Sequence, residues 1–116
     1  MNTNDKDKIE QIARLRKEAH GYYLRTSKVY RAFLEMEKAT YSDGALDKKT
    51  KELIATGVSV AINCESCMEW HIKQALDDGV SPQQIIEAIE VGMEMGGGPA
   101  TAHARFAMNV LEHYTK

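Results

Sequence analysis

Leu53-Ile54-Ala55-Thr56-Gly57-Val58-Ser59-Val60-Ala61-Ile62 decides the fold, because its positions Leu53, Ile54, Gly57, Val58, Ala61 and Ile62 recur at intervals of three and four. That period puts them on one face of an α-helix, whereas a half-buried strand would need strict alternation. Asp47, a few residues upstream, suits the start of this helix, since its carboxylate can accept from the unpaired N–H groups of a first turn. The same spacing continues in both directions. It predicts a first helix from about Asp5 to His20 on Ile9, Ile12, Ala13 and Leu15, with Gly21 as a left-handed end, and a second from about Ser27 to Ala39 on Val29, Tyr30, Phe33, Leu34 and Met36. Thr40 to Gly44 is polar and reads as a loop. A fourth helix carries Cys67, Met68, His71, Ile72, Ala75 and Leu76 and stops at Gly79. Ser81-Pro82 opens a fifth, with serine capping and proline in the first turn, on the stripe Ile85, Ile86, Ile89 and Met93. Gly96-Gly97-Gly98-Pro99 breaks the chain before a sixth helix with Ala102, Phe106, Val110 and Leu111. The expected fold is all-α, a compact bundle of about six short helices.

Composition sets the outer bounds. A chain of 116 residues with 43% apolar and 28% charged residues has the size and balance of one folded domain, residues 1–116. A formal net charge of −2 gives no field to hold a polyanion, so nucleic acid is not an expected partner. No apolar run approaches the roughly 20 residues that cross a bilayer, so no membrane is expected either. The first residues, Met1 to Lys8, lack the apolar core of a secretory signal, and Asn2 stands where myristoylation requires glycine. A cytoplasmic protein is expected. Six helices in a chain this short enclose little interior, and the small residues of the last two favour close approach, which points to a homo-oligomer.

The chain has two cysteines, three apart in Cys64-Glu65-Ser66-Cys67, with His71 four residues further on. On a helix these three side chains fall on one face. A thiolate at a helix N-terminus is stabilised by the positive end of the dipole, and a second thiol one turn away can resolve it into a disulfide. His71 is spaced to take a proton from Cys67 or to stabilise its thiolate. The dipole favours Cys64 as the more acidic thiol and the histidine favours Cys67, so spacing alone leaves the order open. A second chemistry for the same residues is a zinc site or a non-catalytic oligomeric scaffold built on Cys64, Cys67 and His71, with His20, His103 or His113 as fourth ligand, although a second cysteine pair is missing. A c-type haem is excluded, because Met68 stands where histidine would have to follow the second cysteine. Trp70 reads as a core or interface aromatic, Gly96 to Gly98 as a place of close helix packing, and Arg14, Arg16, Lys17, Glu18, His20 and His113 as solvated helix surface.

Asp43-Gly44-Ala45-Leu46, Lys51-Glu52-Leu53-Ile54, Asn63-Cys64-Glu65-Ser66-Cys67-Met68-Glu69-Trp70-His71 and Gly96-Gly97-Gly98-Pro99-Ala100 together resemble the alkylhydroperoxidase D-like branch of the carboxymuconolactone decarboxylase superfamily. The likeness spans roughly Leu46 to Phe106. Its most specific element is a glutamate, eleven residues, then Cys-x-x-Cys-x-x-x-His, matched by Glu52, Cys64, Cys67 and His71. The resemblance implies a helical trimer or hexamer that reduces small hydroperoxides, with peroxiredoxin-type antioxidant activity and a dithiol that becomes a disulfide. It also implies the roles. Cys67 would attack the peroxide, Cys64 would condense with the resulting sulfenic acid and meet the reductant, and Glu52 and His71 would move protons. The reductant would be a dithiol protein or a lipoyl-type carrier, and no organic cofactor is expected. Ser66 stands where the family's peroxidase has a histidine. The superfamily's other branch makes lactone decarboxylation a lower alternative. Glu52 poses a geometric question, for on a continuous helix it would lie about 18 Å from Cys64. A turn near Asn63, tertiary packing or a neighbouring subunit has to bring it back.

Overall fold

The structure, a computed structural model, describes residues 1–116 as six helices with no strands: α1 (Thr3–Thr26), α2 (Lys28–Thr40), α3 (Lys48–Ala61), α4 (Glu65–Asp77), α5 (Pro82–Gly96) and α6 (Gly98–Thr115). Side chains placed at the helix starts account for most of these boundaries. Asn2 and Asp5 form a reciprocal cap on α1, Asp47 accepts from the Thr50 N–H at the start of α3, and Ser81 with Gln84 forms a capping box on α5. At the α5–α6 junction Gly97 has φ +74°, a left-handed conformation that favours glycine, and Pro99 lies in the first turn of α6.

One expected boundary is wrong. Gly21 does not end the first helix, which runs on for 24 residues to Thr26. Neither a proline nor a polar cluster comes directly after Gly21, and Tyr22, Tyr23 and Leu24 continue the helix at a cost of only about 1 kcal/mol for the glycine. The break comes at Ser27, in extended backbone, whose N–H closes α1 on the Tyr23 carbonyl while its side chain caps α2 through the Tyr30 N–H.

α3 lies at the centre, packed on α4 and α5; α6 covers α5 and α4, and α1 lies across α4 and α6. The shared core is aliphatic, with Ile9, Val60, Met68, Ile72, Ile85 and Ile89 wholly buried. α2 packs on α1 alone and buries none of its residues. No helix is long and apolar enough to cross a membrane.

The α3–α5 crossing is a backbone-to-backbone contact. A Cβ on Gly92 would stand 2.4 Å from the Gly57 carbonyl oxygen and 2.9 Å from the Val60 Cβ. Neither neighbour can yield without moving a helix. Gly92→Ala is therefore expected to cost about 3 kcal/mol and to lower the melting temperature by roughly 10–20 °C. Gly98→Ala is the control, since a Cβ there meets nothing within 4 Å and should leave melting unchanged. Equal melting of the two variants would refute the close crossing.

Candidate active site

Chain direction reverses between α3 and α4 in a three-residue corner. Ile62 closes α3, Asn63 takes the left-handed conformation (φ 56°) and Cys64 opens α4. Asparagine tolerates this region better than most residues because its side chain is short and polar. The corner returns α4 antiparallel to α3, so that residues well before it on one helix meet residues well after it on the other. This is how Glu52 reaches the site: His71 Nδ1–H donates to Glu52 Oε1 at 2.7 Å across 19 residues of sequence. The reach needs no neighbouring subunit.

Cys64 sits one step outside the helix, which corrects the expectation that both cysteines lie on a helical face. It is the N-cap residue of α4 (φ −101°, ψ 96°), and its Sγ accepts from the Cys67 N–H at 3.2 Å. Sulfur thus takes the place that serine or aspartate holds at the starts of α2, α3 and α5. Cys64 and Cys67 are joined by a disulfide, with Cα atoms 5.1 Å apart.

Glu52 is buried, at 2% exposure, so its charge has to be compensated locally. The structure supplies His71 on one oxygen and the Lys48 ammonium at 3.4 Å on the other; Lys48 also contacts Asp78 at 2.5 Å. Burial works to lower the Lys48 pKa, but the hydrogen bond and charge of Asp78 together with the charge of Glu52 outweigh it and hold the group above its usual value. Since Nδ1 of His71 faces a carboxylate, the neutral ring carries its free lone pair on Nε2. Tyr41, just after α2, lays its ring 5.2 Å from the imidazole. Burial raises its phenol pKa, and the Glu52 charge adds to the effect.

A cavity of about 520 Å³ opens onto this group, with Cys67 and His71 on its wall. Tyr41, Ile54, Val58 and Ile62 make much of the remainder, with Lys51 and Ser59 among the few polar members. Cys64 does not line it. The two sulfurs therefore differ in surroundings: Cys67 meets an apolar cavity beside an imidazole, and Cys64 caps a helix.

Residues 27–109 match the carboxymuconolactone decarboxylase family. The chain belongs to this family. Within it, a protein of Legionella pneumophila has a solved structure that superposes with a TM-score of 0.86 at 30% identity, covering 95% of this chain and 99% of that one. A Thermotoga maritima family member, whose description suggests involvement in an antioxidative response, gives a TM-score of 0.82 at 28% identity and 90% coverage of both chains. By sequence, the chain is 48% identical over 81 residues to uncharacterised protein 4 of the cox locus in Paracoccus denitrificans, covering 70% of this chain and 73% of that one. It is also 44% identical over 46 residues to the alkyl hydroperoxide reductase AhpD of Corynebacterium aurimucosum, a stretch of 40% of this chain and 26% of that one.

Other members of the sequence-derived set fall elsewhere in this carboxymuconolactone decarboxylase fold. No group of three or more His, Cys, Asp or Glu residues is arranged to hold a metal ion. Of the histidines proposed as fourth zinc ligands, His20 bonds the Tyr30 hydroxyl at 2.6 Å and His113 packs against the ring of Tyr114. The third, His103, is half-buried on α6 and does not line the Cys67 cavity. Of the glycines expected to pack closely only Gly96 does, with a Cβ there 3.3 Å from Ala61 Cα; a Cβ on Gly97 or Gly98 meets nothing within 4 Å.

Arg16 corrects the surface assignment. Its guanidinium pairs with the buried Glu69, donates to the Ser66 carbonyl at 3.2 Å and lies 5.0 Å from the centre of the Trp70 ring. Tyr114 closes the network by donating to the other oxygen of Glu69; burial and that hydrogen bond hold its phenol far above the usual tyrosine range. Sequence reading missed Arg16, Tyr114, Lys48 and Tyr41. Only Lys48 carried a signal, being four residues before Glu52 in helical register.

Proposed function

We propose that the protein is a thiol peroxidase that reduces small organic hydroperoxides with the Cys64/Cys67 dithiol. The observation that carries this reading is the position of Cys67, on the wall of an apolar cavity beside an imidazole that Glu52 orients. The family's link to AhpD and to antioxidative response supports it.

In the reduced protein, His71 Nε2 accepts the Cys67 proton. The Cys67 thiolate attacks the peroxide oxygen distal to the alkyl group and breaks the O–O bond, and His71 returns the proton to the departing alkoxide. The products are an alcohol and a Cys67 sulfenic acid. Cys64 then attacks that sulfur, forming the disulfide and releasing water. Two electrons have passed from the dithiol to the peroxide. A dithiol protein or lipoyl-type carrier restores the enzyme by exchange and leaves as its own disulfide. Glu52 keeps its hydrogen bond to His71 Nδ1 through these steps, and Lys48 holds its second oxygen.

The test measures reduction of a panel of hydroperoxides with several dithiol donors. Small organic hydroperoxides are expected to turn over and to consume two thiols per chain. Survival of both thiols in excess hydroperoxide would reject the reading, and carbon dioxide release from a carboxylated lactone would favour decarboxylation instead.

The active form is proposed to be an oligomer, a trimer or hexamer. α2 leaves Val29, Phe33 and Met36 exposed, and an apolar groove of about 570 Å³ between α3 and α5 exposes Ile54, Val58, Val91 and Met95. These two faces do not touch within one chain. Ile54 and Val58 line both the groove and the Cys67 cavity, so a second copy on the groove would wall the cavity. Phe33→Glu and Val91→Glu are each expected to shift the assembly toward the 13.0 kDa chain in sedimentation. A wild-type monomer at about 100 μM, where even weak pairing at micromolar Kd is saturated, would exclude the assembly.

A further inference from the structure

The Ser66–Cys67 peptide lies between a cation and a sulfur. Its carbonyl accepts from Arg16 Nη1 at 3.2 Å, and its N–H donates to Cys64 Sγ at 3.2 Å. A peptide group polarised at its oxygen is a better donor at its nitrogen, and hydrogen bonds in series strengthen one another. Arg16 is fixed in this position from several sides. Its second nitrogen is held by Glu69, which is buried and also bonded by Tyr114; its face covers Trp70; and Nη1 lies 3.3 Å from Ser66 Oγ. An arginine with that much support is pre-organised to point at one carbonyl.

We propose that Arg16 is a positioning residue for the dithiol, lowering the pKa of the Cys64 thiol and making the disulfide more oxidising through the Ser66–Cys67 peptide. This rests on the dithiol reading above and deepens it. In the oxidised protein the Cys64 sulfur is neutral and gains little from the N–H. On reduction it becomes an anionic N-cap, which the same N–H and the helix dipole both stabilise. Whatever strengthens that hydrogen bond favours the reduced form, and a stabilised reduced form is a stronger oxidant as the disulfide. Cys64 is the sulfur that stays outside the peroxide cavity, so the effect falls on the thiol that exchanges with the reductant. Lys8 makes a second tie from α1 to the same first turn of α4, to Glu65 at 2.7 Å, but it touches no atom of the peptide in question.

The test uses no peroxide, so it stands or falls apart from the peroxidase reading. In a Cys67→Ser background, where the residue 67 N–H is kept, the pH dependence of iodoacetamide alkylation reports the Cys64 thiol. Adding Arg16→Met is expected to raise its pKa by about one unit, a tenfold loss of thiolate below that pH. In the two-cysteine protein the same change is expected to shift the equilibrium with glutathione about tenfold toward the disulfide, or about 30 mV. Arg16→Met alone strands the buried Glu69 charge and could unfold the chain, so the double variant R16M/E69Q, which leaves no unpaired charge, carries the same expectation. Lys8→Met removes an equal charge from the same helix and is expected to leave both readouts unchanged. A Cys64 pKa unmoved in either folded Arg16 variant overturns the proposal, and so does an equal shift in Lys8→Met.

Discussion

Cys67→Ser is expected to abolish hydroperoxide turnover, with a loss of at least about 10³-fold, because the attacking atom is gone and its neighbours do not substitute for a nucleophile. Cys64→Ser should fail differently. It retains the thiol that lines the cavity beside His71, so it consumes one equivalent of peroxide per chain in a burst and then stops with Cys67 as a sulfenic acid. A dimedone-type trap would label that residue and no other. The contrast depends on surroundings, since both cysteines have the same chemistry and lie three residues apart. A burst from Cys67→Ser and none from Cys64→Ser would reverse the two roles, with the Cys64 sulfur attacking from the helix cap.

The second large effect is at Glu52. Replacement by glutamine keeps the volume and one hydrogen-bonding oxygen but removes the charge that faces His71 and Lys48. The rate of sulfenic acid formation should fall about 10- to 100-fold, the size expected when a group that orients a general base is lost. Binding of an unreactive alcohol analogue should be unchanged, since Glu52 does not line the cavity. Glu52→Ala is expected to be worse, costing about 1–3 kcal/mol of stability because it leaves the His71 Nδ1–H without its acceptor in a buried site, whereas Glu52→Gln keeps an acceptor there. If Glu52→Gln leaves the rate within twofold, the carboxylate is a structural anchor for Lys48 and nothing more.

Much of the helical layout is legible along the chain because helix starts are written in local chemistry. Asp47, Ser81 with Pro82, and the glycine run before Pro99 each satisfy or release backbone groups within four residues, and the structure has boundaries at all of them. Gly21 misled for the complementary reason: a glycine permits a helix end without requiring one, and the helix-compatible Tyr22, Tyr23 and Leu24 beyond it carry the helix on. The cysteines and histidine were readable from their spacing, but their environments were not. Which sulfur faces the cavity depends on Tyr41, Ile54 and Val58, which come from outside the motif. Glu52 is legible only through the resemblance; a turn near Asn63 is one of three routes that could return it to the cysteines, and the structure selects that one. Arg16 lay in a stretch of alternating charges, and only the packing of α1 across α4 separates it from its solvated neighbours.

That corner at Asn63 has a mechanical consequence. The residue that turns the chain is held by its own backbone geometry, and the cysteine after it is tied by its N–H to the Ser59 carbonyl at 2.9 Å and by its carbonyl to the Met68 N–H at 2.9 Å. Breaking the sulfur–sulfur bond removes none of these ties. The catalytic cycle should therefore run on an almost motionless frame, with electrons and protons arriving and leaving while the helices keep their places. Amide exchange at Cys64 and Met68 would then be as slow in the dithiol as in the disulfide.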